Sequence, residues 1–426
     1  LIALFAVVSA GVARAEFKLK DSDRVIIFGD RAVSDPFSMV WIDQFLRIRY
    51  PEFQGAVYRF GKEGSTAEDG NSRLATEVLA LNHTHVILCF GLDELQHVAM
   101  DDARLENFVE QMRKLIDASS ANDVQVALMT PPPTDQRRNA GLGASNADAG
   151  NAQIADAVRV LAEERKLPLI DWHKAMKDWI GAAAESPEME WTDHGLVPAG
   201  ISYAMGASLL LEHWGAEPLD YLVSIDWVKP EPCTANIGSV EVKERSDGKL
   251  LVALTGAPVP LEPRGRGTYP AERWPLAKWC KYRLQLTGLT DTGVVISENL
   301  QYAKPFLATQ LAEGADLSVV GPMVDCEASR KLYAAVSNKL ANAIQAQNFN
   351  YQKPPEPELE RGYALLHDAY YEIANAAHKI AYRTPSRMDM VLTIETAAEA
   401  AKHPAPPKPA GPMPRPPGRK PKPTNG

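Results

Sequence analysis

The stretch Arg24-Val-Ile-Ile-Phe-Gly29-Asp30 constrains this chain more than any other. Four apolar or β-branched residues run into a Gly-Asp turn, the pattern of a buried strand that ends at a loop. After it, the segment Phe37 to Arg49 sets Val40, Trp41, Phe45, Leu46 and Ile48 at roughly helical spacing. Strand, Gly-Asp loop and helix make the opening unit of an open α/β sheet. In such sheets ligands bind at the carboxyl ends of the strands, so Arg31, just past the turn, stands where a functional side chain is expected.

The alternation continues. Ala56–Phe60, His85–Phe90, Val124–Met129 and the short Leu169–Asp171 read as strands two to five. Helical spacing marks Asn71–Leu81, Asp102–Ala118, Asn151–Lys166 and Pro198–Trp214. Thr130 to Ala149 is rich in Pro, Gly, Asn and Asp and reads as irregular. Strands separated by helices imply a parallel sheet with helices on both faces and right-handed crossovers. The expected fold class is α/β, a three-layer, flavodoxin-like parallel sheet of five strands.

Beyond about Leu219 the pattern changes. Ser239–Glu244, Leu250–Thr255, Tyr282–Thr287 and Val294–Ser297 alternate like half-buried strands, and Asp247-Gly248 is a hairpin signal between the first two. Pro258 to Pro275 is a loop. Phe306–Glu313, Glu327–Ala346, Glu358–Tyr382 and Met388–Ala401 read as helices. His403 to Gly426 holds ten of the 32 prolines, five Lys or Arg and no acid, which predicts an extended solvated tail rather than a wall-binding basic arm. The expected organisation is a leader (1–15), an α/β domain (16–218), a mixed strand-then-helix region (219–402) and the tail (403–426).

Leu1 to Val12 is a short apolar run that leads into Ala13-Arg14-Ala15, a small-x-small cleavage pattern. It reads as a secretory signal peptide with Glu16 opening the mature chain, hence export to a periplasmic or extracellular space; the run is short for a membrane anchor, and no later stretch spans a bilayer. The net charge of −9 argues against nucleic acid as a partner. Cys89 lies inside a strand and reads as a buried thiol. One disulfide among Cys233, Cys280 and Cys326 would suit an exported protein, without a defined pairing. His83 and His85 flank a strand start, and nothing has metal-site spacing.

Four blocks then fall at the carboxyl ends of the strands. They are Gly29-Asp30-Arg31; Phe60-Gly61-Lys-Glu-Gly64-Ser65-Thr66; Gly91-Leu92-Asp93-Glu94; and Trp191-Thr-Asp193-His194-Gly195-Leu196-Val197-Pro198-Ala-Gly200. From about Asp23 to Trp214 the chain resembles the SGNH/GDSL hydrolases. In that family the first block is Gly-Asp-Ser with Ser as nucleophile. The second is Gly-x-x-Gly-x-Thr, whose second Gly, matching Gly64, donates its N–H to the oxyanion. The third is Gly-x-Asn-Asp or, in one secreted bacterial subgroup, Gly-x-Asn-Glu. The fourth is Asp-x-x-His before a helix. The second half, with Tyr282 to Leu289, Leu311 to Leu317 and Asn338-Lys339, resembles the appended region of large exported bacterial members, in which the first-block Ser is often missing.

The resemblance implies ester hydrolysis of the carbohydrate esterase or acylhydrolase type, with no cofactor and no metal. The residues at the site imply loss of that chemistry. Arg31 replaces the nucleophile, and its guanidinium stays protonated. Asp93 replaces the Asn and, ionised, would repel an oxyanion. The His position falls on Leu196 or Gly195, depending on the direction of counting. Asp193 and Gly64 remain. A rescue would use Ser34 or Ser38 with the adjacent His194 as base; against it, Ser34 reads as a cap or turn hydroxyl.

Asp30, Arg31, Asp93 and Glu94 are then the residues expected to meet a ligand, a carbohydrate or acylated small molecule. The competing expectation is a non-catalytic glycan or cell-wall binding module. Trp172, Trp179 and Trp191 would suit sugar stacking, though core packing is their commoner role. A lone cation and lone carboxylates in one cleft would be costly apart, so Arg31 is expected to pair with Asp93, Glu94 or Asp193.

Overall fold

A computed structural model describes residues 17–35, 37–94, 100–135, 144–182, 191–193, 197–261, 274–290, 292–297, 303–317, 327–351 and 357–402. The leader, the basic tail, Cys326 and His194-Gly195-Leu196 lie outside them.

The first half alternates as expected. It runs β1 (Arg24–Gly29), α1 (Phe37–Arg49), β2 (Ala56–Gly61), α2 (Ala67–Leu74), β3 (His85–Cys89), α3 (Asp102–Ser120), β4 (Gln125–Met129), α4 (Ala144–Arg165), β5 (Leu169–Ile170), α5 (Trp172–Ala182), β6 (Thr192–Asp193), β7 (Val197–Pro198) and α6 (Gly200–His213). The five strands β2-β1-β3-β4-β5 form one sheet, in that order, with every pairing parallel. Successive side chains along a strand face opposite ways, and this divides the core. Val25, Ile27, Val57, Ile87 and Met129 pack with α1, α5 and α6. Ile26, Phe28, Tyr58, Phe60, Val86 and Leu88 pack with α2, α3 and α4. The three-layer α/β expectation holds. The strand order reverses between β1 and β3, which is where such sheets open a crevice.

The second half continues with β8 (Leu219–Asp226), β9 (Thr234–Ala235), β10 (Ser239–Ser246), β11 (Lys249–Pro258), β12 (Cys280–Thr287), β13 (Gly293–Ser297), β14 (Ala303–Phe306), α7 (Ala308–Glu313), β15 (Ala315–Asp316), α8 (Glu327–Tyr351), α9 (Pro357–Arg383), β16 (Arg387–Thr396) and α10 (Ala397–Ala400). One sheet is β10-β11-β16-β13-β14, antiparallel throughout; the other is β15-β12-β8-β9, with β8 and β12 parallel. The segment expected as a helix over Met388–Ala401 is instead mostly strand β16. Its Val391-Leu-Thr-Ile-Glu-Thr run is rich in β-branched residues and fits between β11 and β13, with a single helical turn following. Phe306 likewise closes a strand rather than opening a helix. The helix at Asn71–Leu81 begins earlier, at Ala67, and ends in a π turn over Ala75–Leu79. The helix α4 begins at Ala144, inside the stretch read as irregular.

Both halves share a core. Tyr221, Val223, Leu250, Val252, Tyr282, Leu284, Leu392 and Ile394 belong to the same buried cluster as Trp41 and Phe45 of α1. Trp41 meets Trp274 edge-on at 5.3 Å, and Phe45 meets Trp279 at 5.4 Å. The helix α8 lies along the outer edge of β2. Lys339 Nζ donates to the Val57 carbonyl at 2.9 Å and Gln347 Nε2 to that of Gly61 at 3.5 Å, so side chains take the place of a further strand. Trp172 and Trp191 are buried in the core, so neither offers an open stacking platform, while Trp179 is half-buried and packs against the core. Cys89, Cys233 and Cys280 are thiols. Among the described residues no helix is long and apolar enough to cross a membrane, and no cluster of His, Cys, Asp or Glu would hold a metal ion.

Candidate functional site

The turn after β1 is fixed by close packing. A Cβ on Gly29 would fall inside the carbonyl oxygen of Cys89 on β3, so only glycine lets the two strand ends approach. The Gly29 carbonyl accepts from Arg73 Nη2 at 2.9 Å and from the Lys62 N–H at 3.3 Å. Arg73 is itself buried, paired with Glu77 at 3.0 Å and lying over the Phe28 ring at 4.7 Å. This support for the first block went unseen in the sequence. An Arg and a Glu four apart on a helix read as a surface pair, and nothing local says that they are covered.

Asp30 is fully buried. Its Oδ1 accepts the Ala32 N–H at 2.8 Å and so caps a 3-10 turn over Arg31–Val33. Its Oδ2 accepts the N–H groups of Gly91, Leu92 and Asp93 at 2.8, 2.7 and 3.2 Å. One carboxylate therefore ties the first block to the third from beneath. Burial, and then the neighbouring Asp93 carboxylate, push its pKa up to about 7 against the pull of those N–H groups. Asp30 orients the loops and does not face the crevice.

Arg31 projects from the 3-10 turn with its side chain 21% exposed. Its Nε donates to Asp93 Oδ1 at 2.8 Å, and its Nη1 lies 3.5 Å from the exposed Glu63. The pairing of Arg31 with Asp93 is thus present. Asp93 Oδ2 is met by two backbone donors, the N–H of Arg31 at 3.1 Å and that of Gly64 at 2.7 Å. Gly64 has φ +74°, and a Cβ there would meet nothing within 4 Å. Glycine serves that loop by its backbone conformation, which aims the N–H at Asp93, rather than by packing. Burial raises the Asp93 pKa, while Arg31 and the Gly64 N–H oppose the rise.

Glu94 turns the other way. Its Oε1 accepts the Ala67 N–H at 2.6 Å, in the first turn of α2, beside the Thr66–Asp69 capping box. Burial, followed by the charges of Asp69, Asp93 and Glu68, raises its pKa to about 7. Ser34 Oγ donates to the Arg31 carbonyl at 2.9 Å, a turn hydroxyl closing the 3-10 turn. Ser38 is buried in the first turn of α1. Asp193 lies on the β6–β7 hairpin, whose second strand neighbours the Arg31–Val33 turn. The fourth block therefore arrives beside the first. His194 is outside the described residues.

The arrangement holds one guanidinium, one carboxylate in its grip and two backbone donors converging on that carboxylate. Residues 28–196 match the model of the GDSL-like lipase/acylhydrolase family. No curated protein matches the sequence. Among solved structures, a gut microbial diltiazem-metabolizing enzyme superimposes with a TM-score of 0.73 at 13% identity, over 90% of this chain and 99% of that one. The shared fold thus extends through the second half. A lipase/acylhydrolase from Enterococcus faecalis (TM-score 0.38, 21% identity) covers 45% of this chain and 95% of its own. An acetylxylan esterase from Geobacillus stearothermophilus (TM-score 0.40, 17% identity) covers 47% of this chain and 97% of its own.

Proposed function

We infer, from the premise that residues 28–196 form a domain of the GDSL-like lipase/acylhydrolase family, that this chain is an exported, SGNH-fold protein whose ester-hydrolysing centre no longer turns over. The observation that carries the reading is Arg31. It stands where the family's nucleophile stands, and its Nε is held by Asp93 at 2.8 Å. Acyl transfer needs a nucleophile, a base and donors for the oxyanion. A guanidinium does not attack an acyl carbon, and the nearest hydroxyl in sequence, on Ser34, is turned into its own loop. In a serine hydrolase, loss of the nucleophile alone lowers kcat by roughly 10⁶.

The role left to the domain is binding. Arg31, Asp93 and Glu94 at the carboxyl ends of the strands offer hydrogen bonds to a hydroxyl-rich carbohydrate or an acylated small molecule. The test is a hydrolysis screen of the purified protein on short p-nitrophenyl esters and acetylated xylo-oligosaccharides. Rates equal to buffer, unchanged in Ser34→Ala and His194→Ala, are expected. Turnover that disappears in either variant overturns the reading and makes Ser34 and His194 a working pair.

A further inference from the structure

We propose that the Asp93 carboxylate is an internal ligand of the hole built for the ester oxyanion, so that this anion site is occupied by the protein itself. The proposal rests on the family reading given above, and the argument is geometric. Two backbone N–H groups from different loops, Arg31 on the first block and Gly64 on the second, converge on a single oxygen, Asp93 Oδ2, at 3.1 and 2.7 Å. Convergent N–H donors that no backbone carbonyl satisfies make an anion-binding concavity. Gly64 keeps the left-handed backbone that aims its N–H inward although no packing contact requires glycine there. The hole has therefore survived as geometry.

What changed is its content. An Asn at position 93 would donate a third hydrogen bond to an oxyanion. Asp has no donor when ionised, and here it has turned from lining the hole to filling it. The charge that this brings in is met by the second replacement. Arg31 sets Nε on the other oxygen, Oδ1, at 2.8 Å, from the place a nucleophile would hold. The two replacements answer each other: a buried carboxylate without Arg31 would lack its counter-ion among the described residues, and Arg31 without Asp93 would keep, among them, the exposed Glu63 at 3.5 Å. Asp93 is itself buried, so solvent screens the arrangement little. In consequence the crevice excludes small anions and presents them with Asp93 and Glu63 around the Arg31 guanidinium.

Emptying the hole tests this. In Asp93→Gly the donors of Arg31 and Gly64 lose their acceptor, and acetate or formate should enter in its place, held by the same two N–H groups and the guanidinium. The expected record is an upfield move of the Gly64 and Arg31 amide proton resonances in the variant, their return towards the wild-type positions on adding sodium acetate, and an acetate-dependent rise in melting temperature. The wild type should show none of these responses to acetate. Amide resonances in folded Asp93→Gly that ignore acetate overturn the proposal. If that variant does not fold, Asp93→Asn keeps the shape while removing the charge. The same two amide resonances should then move upfield, and their staying at the wild-type positions overturns the proposal. Either failure leaves the loss of hydrolysis standing, because that is read by turnover of the wild-type protein and not by anion binding.

Discussion

The strongest stability prediction concerns a charge pair far from the crevice. Lys339 on α8 is fully buried, as is Asp43 on α1. The Lys339 Nζ lies 2.6 Å from Asp43 Oδ2, 2.9 Å from the Val57 carbonyl and 4.6 Å from the centre of the Tyr58 ring. Burial pushes the Asp43 carboxyl up, but Lys339, Arg47 and His378 together bring it below its ordinary value. At Lys339 burial prevails, and its pKa is lowered despite Asp43. The pair is thus balanced between desolvation and attraction, and removing one member is far worse than removing both. Lys339→Met keeps the stem and removes the ammonium. It leaves a buried carboxylate, costing about 3–5 kcal/mol, and a strand-edge carbonyl without its donor, costing about 1 kcal/mol more. At about 2–4 °C per kcal/mol, that is a fall in Tm of roughly 10 °C or more. Asp43→Leu with Lys339→Met should recover most of it and end within about 2 kcal/mol of the wild type, a coupling of at least about 2 kcal/mol. Urea denaturation followed by circular dichroism, read alongside Tm, measures all three proteins. A single variant that loses less than about 1 kcal/mol, or a double variant as unstable as the sum of the singles, would refute the reasoning.

Three further outcomes follow from the crevice. Glu94, with its pKa raised to about 7, holds its proton more tightly folded than unfolded. Its contribution therefore worsens as pH rises from the ordinary glutamate range through 7. Glu94→Gln, which keeps an acceptor for the Ala67 N–H, should raise Tm at about pH 8 by the equivalent of at most about 3 kcal/mol and change little at about pH 5; an effect equal at both values would contradict this. Gly29→Ala should cost on the order of 4 kcal/mol or prevent folding, because its Cβ meets the Cys89 backbone; soluble yield and Tm decide. Gly64→Ala, strained in its backbone but with open space around the new methyl, should cost only about 1–2 kcal/mol in the same assay.

The first half of the molecule was legible because its signals are local. Four apolar runs ending at Gly or Pro, with helices between them, admit few arrangements besides a parallel sheet. The Arg31–Asp93 pairing was reachable too, since burying lone charges in one crevice forces them together. What escaped depends on long-range covering. Strand β16 follows two long helices and precedes an Ala-rich stretch, and in that setting its period-two pattern reads as helix. Only its place between β11 and β13 makes it a strand. Lys339 and Arg73 look like surface cations in their own helices, and their burial is decided by residues some 280 and 44 positions away. The direction of Asp93 is of the same kind. The residue type alone does not say where the carboxylate points; its hydrogen bonds to the Arg31 and Gly64 N–H groups do.

The most direct measurement of the central claim is labelling by a fluorophosphonate ester, which reacts with an activated serine hydroxyl. With Arg31 at the end of β1 and the Ser34 hydroxyl donated to the Arg31 carbonyl, the intact protein should take up no label by mass spectrometry, under conditions in which a working serine esterase is labelled to completion. Stoichiometric labelling that maps to Ser34 or Ser38 would contradict the account, because it would show an activated nucleophile in the crevice.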